Sequence, residues 1–257
     1  MSLPPRIAIP MPHSINREYA ERSIPQYERA VALAGGEPVR VALDLSTGDI
    51  KKIVGSCDAV LLPGSSADVN PAKFKAERSL RTAAPDLLRE AADELLLHDA
   101  YSVRKPILGI CYGLQSLNVY RSGSLVQHIP DVLPEELRTR IDHEAGKNVA
   151  VAHKIEVEPD SRLSEILASE PELAIPVNSS HHQSAGAVGS DLRIVARCVE
   201  DGIVEALEGT KPDHFVLAVQ WHPERSVDDD EASRKIFRAL IEASETRREE
   251  LKSELKS

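Results

Sequence analysis

The sequence predicts an α/β protein, a three-layer fold with a mostly parallel central sheet, helices on both faces, and additional antiparallel strands in the second half. Three observations carry this. In the first half, short apolar runs of strand length alternate with longer segments of helical spacing. Those short runs lack polar alternation, which is the pattern of strands buried on both faces of a parallel sheet. After residue 150, strand-like runs follow one another at close spacing, without helices long enough for parallel crossovers.

Taken in order, Arg6 to Pro10 reads as a buried strand and Glu21 to Ala34 as a helix that Gly35-Gly36 stops in a left-handed conformation. Pro38 to Leu43 is a second strand, Asp49 to Val54 a short helix, and Asp58 to Leu62 a third strand ending at Pro63-Gly64. From Pro85 to Arg104, apolar residues at Leu87, Leu88, Ala91, Leu95 and Leu96 define a helix face opposed by acids. Pro106 to Ile110 is the fourth strand, and helix resumes over Leu114 to Tyr120. Strands are expected over Val151–Glu158, Leu173–Val177, Leu192–Val199, Ile203–Glu208 and Phe215–Gln220, before a helix over Asp230–Ala243. These elements are read as one domain, residues 1–243, followed by a charged tail over 244–257 that is a solvated helix end or disordered.

Composition narrows the function. Hydrophobic residues make up 42% and charged residues 28% of the chain, the balance of a soluble globular protein, and 257 residues suffice for a large core. A net charge of -10 argues against a nucleic-acid partner, which requires a concentrated positive surface. No apolar run nears the ~20 residues that span a bilayer, so no membrane partner is expected. The N-terminus lacks the layout of a secretory signal. Cys57, Cys111 and Cys198 are odd in number and widely spaced, which fits neither a disulfide framework nor a structural zinc site. Reduced thiols of this kind fit the cytoplasm. The sequence leaves a homodimer open.

Three segments carry chemistry. Gly109-Ile110-Cys111-Tyr112-Gly113, between a strand and a helix, is a nucleophile-elbow pattern with cysteine in the serine place. The helix start favours the thiolate, and the Tyr112 N–H faces a developing oxyanion. Gln220-Trp221-His222-Pro223-Glu224 follows an apolar run; His222 and Glu224 are placed to act as a base and the group that orients it. Pro63 to Pro71 is a turn-rich loop whose Gly64 and Ser65 amides can complete an oxyanion hole. Taken singly, each segment is equally a packing cysteine, a His-Pro turn or a surface loop.

Together, these segments and Asn118-Val119, Gly123 to Gln127 and Val177 to Gln183 resemble the class I glutamine amidotransferase superfamily, within it the peptidase C26 group of gamma-glutamyl hydrolases. The resemblance implies the flavodoxin-like fold of that superfamily and a Cys-His-Glu triad of Cys111, His222 and Glu224. It also implies oxyanion donors at Gly64 or Ser65 together with Tyr112, and a glutamyl-holding role for Gln115. It places His181 and His182 near the pocket. The implied activity is cleavage of a small gamma-glutamyl amide through a thioester, with no metal or organic cofactor. A glutaminase subunit feeding a separate synthase is the alternative, and a non-catalytic binding member of the fold is a third reading. Two features depart from relatives: Tyr112 stands where arginine is common after the nucleophile, and Ser122-Gly123-Ser124-Leu125-Val126-Gln127-His128 replaces one glycine of a Gly-Gly-Ser-Leu run and the acidic residue after its glutamine.

No metal site is expected at His181-His182, because adjacent side chains rarely point at one ion and the sequence shows no carboxylate partner. Cys57 and Cys198 read as packing residues. Asp228 to Glu231 reads as a helix start, and His13 as a loop histidine that overhangs the pocket or faces solvent.

Overall fold

Side chains along the first-half strands alternate between two apolar faces, and helices from different parts of the chain cover each face. The computed structural model describes residues 3–138, 140–146, 149–167 and 174–254. Its elements are β1 (Arg6–Pro10), α1 (Arg17–Leu33), β2 (Glu37–Val41), α2 (Thr47–Gly55), β3 (Ala59–Leu62), α3 (Leu87–Val103), β4 (Ile107–Ile110) and α4 (Tyr112–Tyr120). There follow β5 (Leu125–Val126), α5 (Ile129–Val132), α6 (Glu135–Arg138), β6 (His153–Val157), α7 (Arg162–Leu167), β7 (Ala174–Val177) and β8 (Ser184–Ala185). The chain closes with β9 (Leu192–Cys198), β10 (Val204–Gly209), β11 (Val216–Val219) and α8 (Glu231–Glu254). The expected strand over Leu173–Val177 thus appears from Ala174 onward, and Leu173 lies outside the described residues.

One nine-stranded sheet runs in the order β2-β1-β3-β4-β11-β10-β9-β6-β7. The pairings from β2 to β11 are parallel, and those from β11 to β7 are antiparallel. This is the α/β fold expected from the sequence. Ile7, Ile9, Leu61, Leu108, Ile110, Leu217 and Val219 pack on α1 and α8; Ala8, Val60, Leu62, Ile107, Val216 and Ala218 pack on α2, α3 and α4. The period of two is the strand periodicity with both faces buried. In β6, by contrast, buried and exposed residues alternate, as befits a strand covered on one face.

Local chemistry sets the helix ends. Asn16 Oδ1 accepts from the Tyr19 N–H and starts α1 four residues before the expected Glu21, and Gly35, at φ 97°, supplies the left-handed stop. Asp230 accepts from the Ala232 and Ser233 N–H groups, so the acidic run does start the last helix.

Two expectations are corrected. The buried face of α3 is not the apolar stripe: Leu87, Leu88 and Ala91 are exposed, whereas Arg89, Glu90 and Asp93 are buried beside Ala92, Leu96 and Leu97. The first turns of α3 face loop carbonyls at the end of the sheet, and Arg89 satisfies these while pairing with Asp93 one turn on (2.7 Å). Nor does the last helix end at Ala243. It continues to Glu254, with Ser244 and Arg247 buried; Arg247 Nε donates to the Val103 carbonyl (3.0 Å) that ends α3.

Deleting residues 244–257 is therefore expected to lower stability by about 1–3 kcal/mol, the range for a buried hydrogen bond to a charged group. Urea denaturation of the full and shortened chains checks this. Coincident midpoints would mean that the segment is a solvated extension.

Candidate active site

Register places three chain segments side by side. Leu62 pairs with Gly109, and Ile110 pairs with Val219, so β3, β4 and β11 end at one level. Beyond those ends the chain turns into Pro63-Gly64, into Cys111, and into Gln220-Trp221-His222. Strand C-termini are where open α/β sheets bind ligands.

Cys111 adopts φ 54° and ψ -106°, a conformation that costs a non-glycine residue roughly 1–3 kcal/mol and is kept only where its surroundings enforce it. They do so by close packing. A methyl group on Gly113 would lie 2.1 Å from the Leu62 carbonyl oxygen, and one on Gly109 would lie 2.9 Å from the Gly113 backbone. Glycine at both positions lets α4 begin directly after the cysteine and rest on β3 and β4. This is why α4 starts at Tyr112, two residues before the expected Leu114. The Cys111 N–H donates to the Val219 carbonyl (2.8 Å), which extends the β4–β11 ladder one residue into the turn.

His222 Nδ1 lies 2.7 Å from Glu224 Oε1, and both side chains are buried. The proline between them starts a short 3₁₀ turn, Pro223–Arg225, that points the two groups the same way. Asn178 clamps the histidine backbone, accepting from its N–H and donating to its carbonyl, each at 2.9 Å. A methyl group on Gly64 would meet His222 Cε1 at 3.0 Å and Cys111 Cβ at 3.7 Å. The imidazole edge and the cysteine therefore flank the same backbone atom, and glycine there makes the approach possible.

Burial pushes the Cys111 thiol up to about 12, against the downward pull of Arg225 and of a backbone hydrogen bond from Tyr112. Burial thus acts against the helix-start effect expected from the sequence. For Glu224, burial also pushes upward, but the charge and hydrogen bond of His222, with Arg225, bring its carboxyl below the usual value. It stays ionised at neutral pH. The stability it contributes is present above the ordinary carboxylate range and is lost as pH falls through its depressed folded value.

The other expected residues gather around a cavity of about 210 Å³ whose walls include Ser65, Asp68, Cys111, Tyr112, Gln115, Glu144, His181, His182 and Gln183. That volume suits an amino-acid-sized ligand. His222, Glu224 and Gly64 are not in the cavity wall, and a larger hollow, about 580 Å³ between α3 and α4, is lined by none of these residues nor by the cysteine. The Gly64 N–H donates to the Tyr27 hydroxyl (3.0 Å), whereas the Ser65 N–H has no hydrogen-bond partner among the described residues. Gln115 Nε2 donates to the Gln183 carbonyl (3.2 Å) and to Gln220 Oε1 (3.3 Å).

The histidine pair diverges. His182 Nε2 meets Asp68 Oδ1 at 3.1 Å, while His181 turns inward toward Glu205. Each thus has the carboxylate partner that the sequence did not reveal. His13 accepts from the Ile15 and Asn16 N–H groups and is not in the cavity wall, and Cys57 and Cys198 are buried away from it.

Sequence reasoning missed Tyr27, Asp68 and Arg89. Arg89 Nη2 donates to the Pro63 carbonyl (2.6 Å) and Nη1 to that of Pro12 (3.0 Å), while its guanidinium lies 4.8 Å from the Tyr112 ring centroid. The positive charge beside the residue after Cys111 comes from α3. An arginine in a helical pattern reads as solvent-facing, and no signal in the sequence singled it out.

Strand-end cysteine, paired histidine and glutamate, and the flanking glycine turn on this sheet define a class I glutamine amidotransferase-like protein. The profile of the family described as Peptidase C26 matches residues 8–224, and the chain belongs to that family. It is 34% identical over 222 residues to gamma-glutamyl-gamma-aminobutyrate hydrolase PuuD of Escherichia coli (strain K12), covering 85% of this chain and 84% of that one. It is equally 34% identical, over 253 residues, to a glutamine amidotransferase-like protein of Rickettsia prowazekii, covering 85% and 87% of the two chains. A Thermoplasma acidophilum protein described as a GMP synthase subunit superposes with a TM-score of 0.64 at 17% identity, over 98% of this chain and 100% of that one, a likeness of fold. No helix among the described residues is long and apolar enough to cross a membrane.

Iodoacetamide labelling of Cys111 is expected to be at least ~100-fold slower than that of a free thiol at pH 7.5, and to rise about tenfold per pH unit. Peptide mass spectrometry against pH reads this out. A labelling rate that levels off below pH 7 would mean a resting thiolate-imidazolium pair instead.

Proposed function

We propose that this protein hydrolyses the gamma-glutamyl amide bond of a small gamma-glutamyl amine through a glutamyl thioester on Cys111. The observation that carries the reading is the His222–Glu224 pair at 2.7 Å, with its imidazole edge against the same glycine as the cysteine. A thiol held protonated by burial needs a base at the moment of attack, and an imidazole oriented by a buried carboxylate is such a base.

In this mechanism, Cys111 Sγ attacks the carbonyl carbon as His222 takes the thiol proton. The oxyanion lies between the Tyr112 and Ser65 N–H groups. The carbon–nitrogen bond breaks with return of that proton to the departing amine, leaving the thioester. His222 then takes a proton from water, whose oxygen attacks the same carbon. Glutamate leaves, and the sulfur regains a proton. Glu224 stabilises the imidazolium that forms twice in the cycle and fixes its tautomer. Asp68 and Glu144 supply carboxylates in the cavity suited to an α-ammonium group.

Cys111→Ala and Glu224→Gln are each expected to lower kcat/KM by about 10³-fold or more with the fold unchanged. Steady-state hydrolysis of several gamma-glutamyl amines, read as released glutamate, tests this. Full activity in Cys111→Ala would overturn the proposal. A second reading, a glutaminase that supplies ammonia to a separate synthase, is favoured by the equal identity to a glutamine amidotransferase-like relative. Glutamine cleaved faster than every gamma-glutamyl amine would select it.

A further inference from the structure

Behind the cavity wall, four side chains from four segments converge on one oxygen. Glu205 Oε1 lies 3.0 Å from His153 Nε2, 3.4 Å from His143 Nδ1 and 3.5 Å from His181 Nε2. All four residues are more than nine-tenths buried. Close as they are, the three nitrogens and both Glu205 oxygens have no partner in hydrogen-bond geometry. A buried carboxylate and imidazoles left this way are costly unless something else satisfies them.

The far sides of two rings determine their tautomers. His143 Nε2 sits 2.8 Å from Asp201 Oδ2, and His181 Nδ1 sits 2.9 Å from the Gln183 carbonyl. Both acceptors require a ring N–H, so the nitrogens facing Glu205 are the ones left to offer lone pairs to an ion. Lone pairs aimed beside a carboxylate repel one another but suit a shared cation. A ring N–H bound to a carboxylate or a backbone carbonyl on the outer side is the arrangement that orients metal-ligating histidines.

The spacing agrees. Ligands about 2.0–2.1 Å from a tetrahedral zinc ion stand roughly 3.3–3.4 Å apart along each edge. The three distances to Glu205 Oε1 cluster about that value, and one nitrogen each of His143 and His153 and a Glu205 oxygen lie within 4.8 Å of one another, while His181 approaches the carboxylate from outside that group. The backbone is shaped for the purpose. The β9–β10 register is interrupted between Val204 and Ala206, so Glu205 occupies an irregularity of the kind that re-aims a side chain. The loops carrying His143 and His181 are joined to each other, the His181 N–H and Ser179 hydroxyl both donating to the His143 carbonyl (2.8 and 2.7 Å).

We propose that His143, His153 and Glu205 form a binding site for a divalent transition-metal ion, zinc by the match of two imidazoles and one carboxylate, with His181 beside Glu205 on the open side. The ion ties β6 and β10 to the loop that carries His143 and Glu144, which is itself hydrogen-bonded to the loop that supplies His181 and His182 to the cavity wall. The site adjoins the Cys111 cavity through His181, and the proposal does not depend on the proposed reaction.

The test uses the full chain without a histidine tag. Purified protein, dialysed against metal-free buffer, is expected to hold one zinc per chain by elemental mass spectrometry. After chelator stripping it should rebind zinc one-to-one with a rise in Tm, and with cobalt(II) it should show the visible absorption of a tetrahedral site. His153→Gln and Asp201→Asn should weaken zinc binding by at least ~10-fold, the second without removing a ligand. Wild-type protein that neither retains zinc nor gives a cobalt spectrum or a Tm shift overturns the proposal, whatever the variants do. A cobalt spectrum with strong sulfur charge-transfer bands overturns it too, by placing the ion on a cysteine.

Discussion

Everything at the site rests on one close contact, the seating of Gly113 against the Leu62 carbonyl. It presses the start of α4 onto the ends of β3 and β4, and that pressure holds Cys111 at positive φ. A β-carbon at Gly113 would lift the helix, and the cysteine would relax toward an ordinary backbone conformation. The sulfur, the Tyr112 amide and the Gly64 turn would then lose their common focus. The parallel register of β3, β4 and β11 does the rest, delivering His222 to the same level as the cysteine.

The site combines strong burial with few free charges. Burial pushes the Cys111 thiol above its ordinary value, while His222 and Arg225 hold the Glu224 carboxyl below its own. In the proposed mechanism, these two groups, pushed in opposite directions from their ordinary values and joined through an imidazole, give a base that is ready and a nucleophile released only on attack. Arg89 supports this from below. It is fully buried, and it fixes the Pro63 carbonyl just before the turn that supplies the Ser65 amide.

Much of this was legible in the sequence. The strand runs, the Gly-x-Cys-x-Gly elbow and the His-Pro-Glu segment are local patterns whose residues lie next to one another along the chain. What escaped was non-local. Arg89 and Asp93 look like solvent-facing charges on a helix, and only the loop carbonyls brought in from residues 12 and 63 make burial favourable. Likewise, His143, His153, His181 and Glu205 are spread over some sixty residues with no motif spacing, and only the sheet together with two loops packed at its end brings them together. The α8 extension escaped for a related reason, since the carbonyl that Arg247 satisfies belongs to Val103.

Central to the proposed chemistry is that Cys111 carries the acyl group. Acid quench of the protein during turnover of a gamma-glutamyl amine, followed by peptide mapping, tests it most directly. The expected result is an adduct of one glutamyl group on the peptide containing Cys111, absent after the substrate is exhausted. Product formation with that peptide unmodified, or with the adduct on Cys57 or Cys198, would contradict it.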